Sequence, residues 1–580
     1  MSFKIKCLDC GHTAFYSPTS ANCPNCNSQW REAQYDYAAL SNALPTLLAA
    51  RPFDLWRYRE LLPIRNPDPT ISLGEGGTPL IHAGNLGMML GCPNIFIKDE
   101  RQGPTNSFKD RQAAVTVAAL KEAGITEMVA ASTGNVAISY SAYAARAGIK
   151  LWAFVTSLVP AVKMREIALY GSQVVKVTGS YDQAKQIAAE FAHQRNLYLD
   201  MGARTIPSIE AMKTIAFEIA EQLTLLSGPL EPIQQTLQPP SSAARTPPEA
   251  DYPDGVLASS APWRTPDWYV QSISGGMGPL GVAKGFSELQ AMHMVERIPA
   301  IAAIQAEGCA PMVTAWKEGL EKAIPVTSPH TYIETLATGD PGRAYSLLRR
   351  WIDETKGVFE SVSDEEAFRA MHVLAKMEGI SMEPAAAVGF AGLFKLVRAG
   401  VIKPDETIVV NCTGHTMPTE PFLLGDQWTR DVDLSAHPAE ETPQEGLLSA
   451  LSRIAPDRFP RVAIVDDAPE ARQLIRRILQ AQGNYTIYEA AGGKEALEMI
   501  GREIPDLVIL DLMMPEMDGF AVLDSLKARP ETAAIPIIVA TAKELTAEEK
   551  NRLKGQIQAL MQKGDFLSDE FLDEVSSLIQ

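Results

Sequence analysis

Lys109 sits in the segment Asp99-Glu100-Arg101-Gln102-Gly103-Pro104-Thr105-Asn106-Ser107-Phe108-Lys109-Asp110-Arg111. Glycine, proline and small polar residues precede it, and a helical stretch begins with it. A lysine kept out of water at such a place can form a Schiff base with an aldehyde. Two other segments could hold an anion beside it. Ser132-Thr133-Gly134-Asn135 lies between a strand-like run and a helix-like one. Ser274-Gly275-Gly276-Met277-Gly278 follows the strand-like WYVQSI and precedes a helix expected at Gly281. Glycines at a strand-to-helix turn let backbone N–H groups approach a phosphate, and the helix N-terminus favours its charge.

Two more groupings could bind metals. Cys7, Cys10, Cys23 and Cys26 form two Cys-x2-Cys pairs, able to supply four thiolates to one structural Zn²⁺. Asp466-Asp467 and Asp511 each close an apolar run, with Thr541 and Lys563 following later runs. Carboxylates gathered at strand ends bind Mg²⁺ through oxygen, and one of them can accept a phosphoryl group.

The elements that position these residues follow from the apolar pattern. Between 70 and 425, runs such as MVAAST, KLWAFVT and AIAAIQAEG alternate with amphipathic stretches, which predicts a parallel α/β fold. Residues 227–266 hold nine prolines and read as an inserted loop. Residues 426–459 read as a polar linker, and VAIVDD, YTIYEA, LVILDL and IPIIVAT as strands of a separate acidic α/β unit over 460–580. Residues 1–35 form a small cysteine ribbon.

The 580 residues carry 52 basic and 70 acidic side chains, a net charge of −18. That balance argues against nucleic acid and against anionic membrane surfaces as partners. No apolar run approaches the roughly 18 residues of a membrane span, and MSFKIKCLDCGH has no apolar signal core, so the expected location is cytoplasmic.

Taken in order, several motifs in 70–425 resemble the tryptophan-synthase-β-like, fold type II family of pyridoxal-phosphate (PLP) enzymes, and within it the threonine-synthase-like members. They are Glu75-Gly-Gly-Thr-Pro-Leu80, Ser-Phe-Lys109-Asp-Arg, Ser-Thr-Gly-Asn135, the glycine run at 275–278, Gln305-Ala-Glu-Gly308, Glu383-Pro-Ala385 and Thr413-Gly-His415. The resemblance implies two parallel α/β subdomains, an amino-acid substrate, a homodimer, and a lyase acting on O-phospho-L-homoserine. Lys109 would be the Schiff-base lysine and proton shuttle. Phe108 and Asn135 would contact the cofactor ring, and Thr413 its pyridine nitrogen. Gly275, Gly276, Met277 and Gly278 would hold its phosphate, and Ser132 and Thr133 would face the substrate carboxylate.

The stretch that would bind the substrate phosphate departs from that family's pattern. Ser208 stands at the usual arginine, Gly202-Ala203 at the usual Asn-Ser pair, and Gly276 at the asparagine of the cofactor loop, with Arg204 nearby. Losing an arginine fork removes the main partner of a dianion. A threonine or serine dehydratase, a cysteate-synthase-like β-replacement, and a catalytically silent amino-acid sensor therefore stay open.

Residues 460–580 resemble the receiver domain of response regulators, a flavodoxin-like (βα)5 unit. The resemblance implies Asp511 as phosphoacceptor, Asp466 and Asp467 with it as Mg²⁺ ligands, and Thr541 and Lys563 on the phosphoryl group. The partner would be a sensor histidine kinase or phosphotransfer protein. Gly564 follows the lysine where that family usually has proline, and Leu560 takes its aromatic switch position.

Overall fold

The computed structural model describes residues 3–17, 22–132, 134–156, 159–178, 181–226, 262–415, 460–482, 485–541 and 545–562. The polar linker, most of the proline-rich insert, Thr133 and Lys563 lie outside these residues. The chain divides into two compact units.

The first unit holds the ribbon and two α/β sheets. In the ribbon, Lys4–Cys7 pairs antiparallel with Thr13–Ala14 on one side and Arg31–Gln34 on the other. The larger sheet has the order Val358–Val362, Ala300–Ala306, Trp268–Ser272, Ile408–Cys412, Ile95–Asp99, Leu80–His82. Its first five strands run parallel, as expected, and Leu80–His82 adds an antiparallel edge strand. The smaller sheet, Gln173–Val177, Lys150–Thr156, Glu127–Ser132, Tyr198–Leu199, is parallel throughout. Central strands such as Trp268–Ser272 and Ile408–Cys412 are buried at every residue, as expected where helices cover both faces.

The helix expected at Gly281 begins four residues earlier, at Met277, and runs to Ala291. Pro279 suits that first turn, because its missing N–H would have had no helical partner. Gly281 and Gly285 let this helix press against Ile206–Leu225. A Cβ at Gly281 would stand 2.3 Å from Met212 Cβ, and one at Gly285 2.8 Å from Ala216 Cβ.

Buried charges tie these helices to their surroundings. Arg111 meets Glu100 at 2.7 Å and Glu218 at 2.5 Å, and Lys98 reaches Glu218 at 2.7 Å. A second cluster joins Glu210, Lys213, Lys284 and Glu288. It also grips the end of the ribbon. Glu210 accepts from the Ala33 amide at 3.2 Å and the Tyr35 hydroxyl at 3.0 Å, while Lys284 donates to the Ala33 carbonyl at 2.8 Å.

The second unit contains a five-stranded parallel sheet ordered Thr486–Ala490, Arg461–Val465, Leu507–Leu510, Ile537–Thr541, Ala559–Gln562. Val465 pairs with Leu510, which brings the residues just after each strand, Asp466 and Asp511, side by side.

Candidate active site and phosphoacceptor site

A cavity of about 460 Å³ opens in the first unit, lined by Lys109, Phe108, Asn135, Thr413 and all four of Gly275 to Gly278. Lys109 opens the helix Lys109–Glu122, and its Nζ stands 4.2 Å from the centre of the Phe108 ring. Desolvation lowers its pKa to about 8, against the opposing pull of Asp200 and Glu383. A backbone bond from the Phe108 amide to the Thr413 carbonyl, 3.0 Å, fixes Thr413 beside the lysine.

Opposite lies the start of the Met277–Ala291 helix. Gly276 has φ +78°, a left-handed conformation that glycine tolerates best. A Cβ at Gly278 would strike the Gln271 carboxamide at 2.3 Å. A Cβ at Gly275 would meet nothing within 4 Å, so this backbone is open to an incoming group. A partly deprotonated lysine facing amides at a helix N-terminus fits an aldehyde that carries a phosphate. These residues therefore fit pyridoxal phosphate.

Asn135 starts the helix Asn135–Ala147 after Gly134. Its Nδ2 donates to both oxygens of Glu383, at 2.8 and 3.0 Å, and its Oδ1 accepts from Lys163 Nζ at 2.9 Å. Sequence reading had Glu383 only as part of a family motif, without its link to Asn135, and missed Lys163. Glu383 lies 248 residues away, and nothing in the spacing of Lys163 marks it. Ser132, read as facing the substrate, is buried. Its Oγ accepts from the amides of Gly134 at 2.9 Å and Ala137 at 3.0 Å, bracing the turn.

Where an arginine was expected, Ser208 is fully buried. Its hydroxyl lies 3.2 Å from Asp200 and 3.2 Å from Thr116. Asp200 lines the cavity, accepts from Gln112 Nε2 at 3.2 Å, and has its pKa raised by burial. Positive charge enters the wall elsewhere, from Lys185, Arg204 and Arg343.

In the ribbon, one sulfur from each of Cys7, Cys10, Cys23 and Cys26 lies within 4.8 Å of the others. Cys7 and Cys26 are 3.5 Å apart, and Cys10 and Cys23 are 3.7 Å apart. Four sulfurs at about 2.3 Å from a tetrahedral centre stand roughly 3.8 Å from one another, so the cluster fits zinc. The Asp9 amide donates to Cys7 Sγ at 3.4 Å, a bond that favours the thiolate.

In the second unit, oxygens of Asp466, Asp467 and Asp511 gather within 4.8 Å, a donor set suited to Mg²⁺. Asp466 and Asp511 are buried and Asp467 is exposed. The Ala468 amide holds Asp466 at 2.9 Å, and the Met513 amide approaches Asp511 at 3.2 Å. Thr541, buried, ends the neighbouring strand.

Residues 71–231 and 257–414 match the family described as pyridoxal-phosphate dependent enzyme, and 462–570 match the response regulator receiver domain. The threonine synthase of Methanocaldococcus jannaschii is 32% identical over 71% of this chain and 91% of its own length. That of Methanosarcina acetivorans is 31% identical over 72% of this chain and 92% of its own. The structure of maize serine racemase aligns at a TM-score of 0.47 and 18% identity, over 65% of this chain and 94% of that one. The chain thus belongs to the pyridoxal-phosphate dependent enzymes of fold type II, with threonine synthases among its relatives, and carries a response regulator receiver domain in its C-terminal part.

Proposed function

We propose that the chain is a threonine-synthase-type lyase, converting O-phospho-L-homoserine and water to L-threonine and phosphate under the influence of its receiver domain. The observation that carries the substrate is the basic wall. Lys185, Arg204 and Arg343 line the same cavity as Lys109, so its wall offers cations for a second anion besides the amides of the glycine run.

Bound pyridoxal phosphate supplies an electron sink for carbanionic charge at the substrate's α-carbon. The protein's residues do the rest. The amides of Gly275 to Gly278 take the cofactor phosphate. Thr413 offers a hydroxyl to the ring nitrogen, and Asn135, locked by Glu383 and Lys163, presents its amide to the ring edge. Lys109 would hold the cofactor through its aldehyde, and its Nζ, whose pKa burial lowers to about 8, would take the substrate's α-proton and return it. Thr133 and the amides of its turn would receive the substrate carboxylate.

Asp511 would accept a phosphoryl group from a histidine kinase or phosphotransfer protein, with Asp466, Asp467 and Mg²⁺ beside it and Thr541 and Lys563 on the phosphoryl oxygens. A change of kcat or KM on adding beryllofluoride and Mg²⁺, absent in Asp511→Ala, supports the regulatory part. Identical kinetics refute it.

The Asp200–Ser208 pair favours a second reading. A carboxylate in the wall suits a hydroxyl-bearing substrate such as threonine or serine, which would be dehydrated. Purified holoenzyme given O-phospho-L-homoserine should release phosphate and threonine in equal amounts, and Lys109→Ala should release neither. No release, with 2-oxobutanoate formed from threonine instead, would replace the first reading by the second.

A further inference from the structure

We infer that the cysteine ribbon is a working wall of the substrate site, in which Asp9 and Gln29 hold Arg343 and Arg204 so that the two guanidinium groups receive the substrate's phosphate. This rests on the reading of a phosphorylated substrate.

Arg204 lies in the single turn Gly202–Arg204, the stretch that replaces the expected Asn-Ser pair. Its Nη1 donates to Gln29 Oε1 at 2.7 Å. Arg343 caps the start of the helix Ala344–Thr355, and its Nη1 donates to Asp9 Oδ1. Both arginines line the cavity, and so does Trp30, next to Gln29. Two arginines from distant parts of the chain are thus held from one side, by one small element.

That element is itself fixed at both ends. Asp9 lies within the first Cys-x2-Cys pair, where the bond from its amide to Cys7 sets the turn. Beyond Gln29 and Trp30, the strand Arg31–Gln34 is gripped at Ala33 by buried Glu210 and Lys284. Those two residues belong to the helices Ile206–Leu225 and Met277–Ala291; the first follows directly on the Gly202–Arg204 turn in the cavity wall, and the second lines the cavity with its first turn. The ribbon therefore moves with the walls of the site.

The chemistry follows from the number of donors. A guanidinium has five N–H bonds. Holding one Nη aims the group and leaves other N–H bonds for a dianion. The Arg343–Asp9 pair is half-exposed, at 32% and 40%, and such pairs contribute little to folding. Gln29 is neutral and cannot cancel the charge of Arg204. The Gln29 contact thus orients Arg204 without offsetting its charge, while Asp9, a carboxylate, orients Arg343 and offsets part of its charge.

Titration calorimetry of inorganic phosphate into full-length holoenzyme tests the wall directly, with steady-state kinetics on O-phospho-L-homoserine beside it. Asp9→Asn with Gln29→Ala should weaken phosphate binding and raise KM, each by about tenfold, with a smaller effect on kcat. Cofactor absorbance, bound zinc and melting temperature should not move. Asp9→Glu, which keeps the charge, should recover part of the loss. Arg204→Gln with Arg343→Gln should lose more affinity than the ribbon variant. Unchanged phosphate affinity in the ribbon variant would overturn the inference, as would a wild type that binds no phosphate. Weakened phosphate binding in the variants of an enzyme that ignores O-phospho-L-homoserine would overturn the substrate and leave the wall standing.

Discussion

Lys109 titrates within reach of ordinary buffers. The cavity walls desolvate its ammonium and bring its pKa from 10.5 to about 8, although Asp200 and Glu383 pull the other way. At pH 7 such a lysine is neutral in roughly one molecule in ten, against about one in three thousand for an unperturbed side chain. Cofactor-stripped protein should therefore take up pyridoxal phosphate at a rate that climbs about tenfold per pH unit below 8 and flattens above it. Stopped-flow absorbance, with Lys109→Ala as blank, reads that rate. Asp200 has the larger charge effect of the two carboxylates, so Asp200→Asn removes the stronger support for the ammonium. The midpoint must then fall. Glu383→Gln should move it the same way by less. A wild-type midpoint near 10.5, or an upward shift in Asp200→Asn, would refute the electrostatic account of this site.

Glu210→Gln leaves Lys213 and Lys284 buried with Glu288 as their remaining carboxylate partner. Breaking such a cluster costs about 3–5 kcal/mol, seen as a lower melting temperature together with proteolytic cleavage at the ribbon. A loss under about 1 kcal/mol would contradict the burial argument. Metal analysis should find one zinc per chain, lost in Cys10→Ser. Asp511→Asn should abolish labelling by acetyl phosphate, and Asp467→Asn should weaken Mg²⁺ binding while leaving the fold intact, because Asp467 is exposed.

Legibility from sequence followed chain distance. The four cysteines, the lysine that opens a helix, the glycine run and the acids closing their strands are local patterns, and each names its own chemistry. The residues that hold them are not local. Arg111 stands in the lysine motif and Glu218 in none, yet the two meet in the core. Glu383 reaches Asn135 across the larger part of the catalytic region, and Asp9 reaches Arg343 across 334 positions. The helix after the glycine run was expected at Gly281 and begins at Met277, and its glycines at 281 and 285 let the neighbouring helix pack close, a contact no local pattern announces.

The same run permits a separation of stability from binding. Gly276 has φ +78°, and an added Cβ would stand 3.2 Å from Leu348. Gly276→Ala should therefore lose about 1 kcal/mol of stability from backbone strain, cofactor or not, and any weakening of cofactor binding would be hard to assign. Gly275 differs. Its φ is not in the left-handed region, and its added Cβ meets no protein atom within 4 Å. The substitution is silent for the protein alone and falls on the space assigned to the cofactor phosphate. Gly275→Ala should keep the melting temperature of the cofactor-free chain and weaken pyridoxal phosphate by at least about tenfold, measured by equilibrium absorbance. Pyridoxal lacking the phosphate should bind both proteins alike, because the methyl group obstructs only the phosphate. If Gly275→Ala takes up pyridoxal phosphate as tightly as wild type, the phosphate does not lie on this turn, and the orientation given to the whole cofactor must be reversed.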